Sequence, residues 1–226
     1  LAWIMVYAQD EWKSLIISAW MIVFSVGAFL IFRITKRREP LFIYAGVGIA
    51  MLAAATSAEL KGATLTIAYI IESGIISLIA YSILRDKKIA ERVSLLLIGP
   101  MILSVESITS RAWSAGFINK DFFVILILGL TLLGLGLLFL RRAGETENNE
   151  PQELNVALFV AGSAYIYLLL WLSLHSAFHN KDAAVMLSLI VYTIIGLIAY
   201  LYGLRNEKKG IRLYGGVLLG FVIGRL

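Results

Sequence analysis

A single carboxylate, Glu72, stands inside a long apolar stretch, flanked by Ile70, Ile71, Ser73 and Gly74. At mid-membrane a charged side chain costs about 2.5–3.5 kcal/mol on insertion scales, so it must face protein, hold a partner or take up a proton. Two roles answer that cost. Glu72 can work in a proton or cation relay or clamp a polar headgroup, or it can hydrogen-bond a neighbouring helix and serve structure alone. Glu106, with Ser104, Ser107, Thr109, Ser110 and Arg111 around it, is the second polar cluster. It can pair with Arg111 at the interface, or the two can line an outward-facing pocket above Glu72. His175 and His179 are four residues apart, with Asp182 just beyond. That spacing presents two imidazoles to one metal ion if a helix runs through them, although no HExxH pattern accompanies it and interfacial polar residues explain it more simply. Asp10 and Glu11, beside Trp12, are expected in an outer loop, where paired carboxylates can hold a metal or act as base on a lipid-linked substrate. The chain has no phosphate-cradling glycine loop, nucleophile elbow, or haem or flavin signature. No catalytic residue and no cofactor is therefore assigned.

The elements that must position these groups are apolar helices. Of the 226 residues 60% are hydrophobic and 15% charged, against about a quarter charged in a soluble domain. The mean hydropathy is +0.85. Residues 14–32, 41–58, 122–140, 154–174 and 183–204 contain no Asp, Glu, Lys or Arg. Runs of about 18 or more such residues match the hydrocarbon thickness of a bilayer, and lipid offers no partner to an open strand edge. The expectation is an all-α polytopic transmembrane bundle of eight spans, near 14–32, 41–59, 63–84, 90–108, 122–140, 154–174, 183–204 and 211–226. Pro100 should kink the fourth span, because proline lacks an amide donor and clashes with the preceding turn. Both ends of the chain read as cuts through a longer protein. With no cysteine, disulfides and thiolate metal sites are excluded.

The basic residues alternate in position. Arg33 to Arg38, Arg85 to Arg92, Arg141 with Arg142, and Arg205 to Arg212 follow the odd-numbered spans and hold fourteen of the 20 Lys and Arg residues. Translocating positive loops is disfavoured, so these loops are expected in the cytoplasm, with the protein in a cell inner membrane. Topology explains the net charge of +5 without nucleic acid. The expected partners are membrane lipids, other membrane proteins or a second copy. Residues 1–226 read as one transmembrane domain. Its halves, 1–142 and 154–226, are joined by the acidic cytoplasmic loop 143–153, which contains Glu145, Glu147, Glu150 and Glu153. Tyr and Trp residues near span ends fit an interfacial belt.

Two echoes run through the chain. Leu78-Ile79-Ala80-Tyr81 followed by Leu84-Arg85 returns as Leu197-Ile198-Ala199-Tyr200 followed by Leu204-Arg205, and Tyr44-Ala45-Gly46-Val47 returns as Tyr214-Gly215-Gly216-Val217. Such self-similarity predicts four repeated helical hairpins. Small residues recur every fourth position at Gly46, Ala50 and Ala54, and at Gly216, Gly220 and Gly224. Residues four apart share a helix face, and small ones let backbones approach closely in lipid. These stripes are expected to pack, within the chain or between subunits.

At the repeated turns, Leu204-Arg205 through Arg212-Leu213-Tyr214-Gly215 and on to Arg225, the chain resembles a bacterial family of polytopic membrane proteins catalogued as domain of unknown function 2339. Glu72, opening toward Leu84-Arg85, is similar to that family's pattern, while Pro40 departs from it. The resemblance implies a long array of hairpins and no particular activity. Three functions stay open: transport or handling of a lipid or envelope component around Glu72, a non-catalytic scaffold packing through the small-residue faces, and a transferase on lipid-linked substrates. The first expects Glu72 to face a cavity with converging polar groups. The second expects it to be bonded to a neighbouring helix in a filled bundle.

Overall fold

The computed structural model describes residues 10–35, 38–84, 87–143, 153–178, 181–205 and 209–225. Among these the fold is all-α. Helices α1 (Asp10–Thr35), α2 (Arg38–Glu59) and α3 (Ala63–Leu84) are followed by the short α4 (Lys87–Ser94), a 3-10 turn (Leu95–Leu97) and α5 (Ile98–Ile108). A second 3-10 turn (Arg111–Ser114) leads to α6 (Lys120–Ala143), α7 (Glu153–Ala177), α8 (Lys181–Arg205) and α9 (Lys209–Arg225). Four of the described helices are long and apolar enough to cross a membrane: Ala63–Ser82, Lys120–Leu140, Leu154–Ala177 and Asp182–Arg205. They coincide with the expected spans 63–84, 122–140, 154–174 and 183–204. Ile43–Glu59 forms a shorter apolar helix. The acidic loop expected between the halves, apart from the helical Ala143 and Glu153, lies outside the described residues, as do Lys36, Arg37, Arg85 and Lys208.

The fourth expected span, 90–108, is not one continuous helix. It divides into α4 and α5, with Leu95–Leu97 tightened into the 3-10 turn. The break precedes Pro100 because the pyrrolidine ring collides with the carbonyl four residues back, that of Leu96. Asp10 and Glu11, expected in a loop, instead begin α1. Acidic residues in the first turn suit the positive end of the helix dipole, which extends the helix beyond the apolar run.

The core is built on α6. Val124, Leu128, Leu132, Leu135 and Phe139 recur at spacings of three and four along one face and are almost wholly buried. Ile70 of α3, Ala90 of α4, Leu97 and Leu158 of α7 pack against them. Helix α3 runs parallel to α6, since Gly74 faces Thr131 and the rings of Tyr81 and Phe139 stand 5.6 Å apart farther along both helices. Ile17, Met51 and Ala55 form a separate cluster between α1 and α2. The most extensive pairings are α1 with α2, α6 with α7, and α8 with α9.

Glycines make two of those pairings close. A Cβ on Gly136 would sit 2.8 Å from the backbone nitrogen of Phe159, and one on Gly162 would meet the backbone of Leu133 and Gly129. Between α8 and α9, Gly203 faces the backbone of Arg212, and Gly215 faces that of Tyr200. The expected stripes differ from these contacts. Among the described residues nothing lies within 4 Å of a Cβ placed on Gly46, Gly220 or Gly224, and Gly216 meets only the Tyr200 ring, at 4.0 Å. Ala50 is exposed, while Ala54 packs beside the α1–α2 cluster. Within the chain, then, α9 packs through Gly215, one residue and about 100° away from the stripe. The sequence echo does not extend to environment either. Tyr81 packs on the buried Phe139, whereas Tyr200 is 36% exposed beside Arg212.

Candidate functional site

Glu72 reaches its place through a tight turn. The chain leaves α2 at Glu59, and Gly62 takes a φ of +60°, a left-handed conformation that favours glycine. The turn folds α3 back on α2 and sets Thr56 opposite Glu72. The Thr56 hydroxyl donates to Glu72 Oε1 over 2.5 Å. One turn earlier on α3, the Tyr69 hydroxyl donates to the Ala53 carbonyl over 2.8 Å. Both bonds join the α1–α2 pair to the body of the molecule along a short stretch where α2 touches α3. Glu72 is half-buried there, and its described partner is the hydroxyl of a neighbouring helix.

The other expected polar groups do not converge on it. On α5 the buried face is Pro100, Ser104 and Ser107. Glu106 lies off that face and is exposed, as is Arg111, and among the described residues no ion pair joins them. The expected Glu106–Arg111 pairing thus does not form. Ser104 bonds instead to the Tyr165 hydroxyl over 2.8 Å, tying α5 to α7. In the loop beyond, Trp113 is buried and donates its indole N–H to the Ser107 carbonyl over 2.9 Å, while Ser176 donates to the Trp113 carbonyl. Ser110 caps the second 3-10 turn, and the Asn119 side chain accepts from the Phe122 amide over 2.8 Å to cap α6. The stretch between α5 and α6 is thus folded on itself and tied to α7.

His175 lies in the last turn of α7, its ring 4.5 Å from that of Trp171. His179 lies outside the described residues, and Asp182 opens α8 in an exposed position. Among the described residues no group of three His, Asp or Glu side chains is placed to hold a metal ion. The side chains of Asp10 and Glu11 are outside the description too.

Two polar features escaped the sequence reading. Tyr167, Tyr192 and Tyr214 join α7, α8 and α9 inside the bundle. The Tyr192 hydroxyl donates to the Tyr167 carbonyl over 2.6 Å, and the Tyr167 and Tyr214 hydroxyls lie 2.9 Å apart. The Tyr167 and Tyr192 rings meet edge to face at 5.1 Å. These tyrosines connect three helices in the interior. Asn155, in the first turn of α7, is fully buried, and neither polar atom of its side chain has a hydrogen-bond partner among the described residues. As the one carboxamide in the run 154–174, it could have been noticed.

Comparisons with protein-family models, curated proteins and solved structures find no match to this chain.

Proposed function

We propose that this chain is the membrane-embedded part of a non-catalytic scaffold, which assembles with other membrane proteins or with a second copy through helix faces it leaves open. The observation that carries this reading is the Thr56–Glu72 hydrogen bond. The costliest polar group in the apolar helices is spent on holding α2 against α3. The open Gly46/Ala50 and Gly220/Gly224 faces suit close approach of an external helix, since small residues favour such contacts in lipid. In this proposal the chain crosses a bacterial inner membrane eight times as four hairpins, with the loops after odd spans in the cytoplasm. Membership of the family named above belongs to the same proposal.

A second reading, transport or handling of a lipid or envelope component, has one observation in its favour. A buried carboxamide without a partner, Asn155, suits a polar guest. Native mass spectrometry of the full-length protein and its Glu72→Gln variant separates the two. Scaffolding expects the same protein partner or self-association in both, and no discrete small molecule lost from the variant. Loss of such a molecule moves the conclusion to transport.

The open face has its own test. The chain lacks cysteine, so Gly220→Cys introduces a unique thiol. In native membranes it should cross-link into a discrete dimer or heterodimer, while Cys in place of the buried Gly215 should not. Equal, diffuse cross-linking at both positions would sink the scaffold reading.

A further inference from the structure

We propose that the groove between α8 and α9 at the basic end of the bundle binds the phosphate headgroup of an acidic phospholipid. The groove, about 370 Å³, is lined by Tyr200, Arg212, Leu213 and Gly216. It exists because the two helices touch backbone to backbone. Gly203 lies against the Arg212 main chain and Gly215 against that of Tyr200, which brings the guanidinium-bearing and phenol-bearing residues to neighbouring levels. Gly216 then leaves a hollow where any other residue would place a side chain, with the Tyr200 ring 4.0 Å from its Cβ position.

Its lining matches the two parts of a lipid's upper end. Arg212 is exposed and carries a planar fork of donors that fits phosphate oxygens bidentately, and Tyr200 adds a hydroxyl donor. Leu213 and the bare Gly216 present apolar surface to the glycerol and the first acyl carbons. No carboxylate is among the lining residues. The level also fits. Tyr200 lies five residues before Arg205, where the candidate span Asp182–Arg205 ends, which is about 7.5 Å along the helix and so near the headgroup layer. Charge favours an anionic occupant over a zwitterionic one, because Arg205 is exposed at the same end of α8. Each basic residue near an anionic surface contributes about 1 kcal/mol, equivalent to roughly fivefold in affinity. An arginine that lines a groove should exceed the diffuse share of its neighbours.

The test is lipid retention by the whole protein, measured by native mass spectrometry after exchange into nanodiscs of equal phosphatidylglycerol and phosphatidylcholine. The parent should keep phosphatidylglycerol in preference to phosphatidylcholine. Arg212→Gln should lower that preference at least fivefold, and Gly216→Leu, which fills the hollow and leaves the charge, should lower it too. Arg205→Gln, in the same turn but outside the groove, should retain most of it. Thermal unfolding of each variant identifies any that simply misfold. No preference in the parent would overturn the site. Equal losses in both arginine variants with no effect of Gly216→Leu would also overturn it, in favour of diffuse attraction to anionic lipid. The scaffold reading survives either failure, because it rests on the Thr56–Glu72 hydrogen bond and the exposed Gly46, Ala50, Gly220 and Gly224, and not on a phosphate contact at Arg212.

Discussion

Gly162→Ala is expected to lower stability by about 1–3 kcal/mol, the range measured when a methyl group is forced into a filled interior. A Cβ at this position meets the backbone of Leu133 and the carbonyl of Gly129, neither of which can swing aside as a side chain tip would. Gly136→Ala should behave alike, because Phe159 offers backbone and not a flexible end. On the same α6, Gly134 is exposed and has nothing among the described residues within 4 Å of its Cβ position. Gly134→Ala should therefore be neutral or stabilise by up to about 1 kcal/mol through helix propensity alone. Thermal or SDS unfolding in micelles, with the three variants side by side, measures the contrast. Equal behaviour of Gly162→Ala and Gly134→Ala would refute the close backbone crossing of α6 and α7.

The second large effect concerns Thr56 and Glu72, and it is a failure of additivity. Thr56→Val removes the donor and leaves a carboxylate without its helix partner in an apolar setting, which costs about 1–3 kcal/mol. Glu72→Leu removes the polar group altogether. In that background Thr56→Val should cost far less, so the double variant should be more stable than the two separate losses predict by about 1–2 kcal/mol. The α1–α2 pair touches α3 along a short stretch, so the single Thr56→Val variant should also expose the linker near Gly62 to protease before the rest of the bundle opens. Strictly additive costs would mean that the hydrogen bond does not hold the two helices together.

How much of this could be read from the sequence depended on the length scale of the signal. Long charge-free runs such as 122–140 and 183–204 mark helices by composition alone, and α6 and α8 contain them. Pro100 announced a distortion, because its cause is local to the backbone. Contacts set by rotation were hidden. In α9 the sequence Gly215-Gly216 places small residues on two faces about 100° apart, and four-residue spacing favours Gly216 while the helix packs through Gly215. The same rotation carries Glu106 away from the Ser104/Ser107 face. Thr56 was invisible as a partner for Glu72 because a single hydroxyl in an apolar helix carries no periodic signal. The tyrosine cluster was hidden for a related reason, since an amphipathic ring suits both an interface and an interior hydroxyl pair and its spacing does not say which.

The parallel packing of α3 on α6 imposes an order on biosynthesis. Pairs such as α1–α2, α6–α7 and α8–α9 join neighbours in the chain and can close as soon as each second helix emerges. The contact of Gly74 with Thr131 and of Tyr81 with Phe139 spans α4, α5 and the stretch around Trp113, so it cannot form until α6 has been inserted. Until then the buried polar face of α3, with Ser73 and Ser77, waits without its final neighbour. The nascent chain passes through an interval in which local hairpins are finished and its centre is still open.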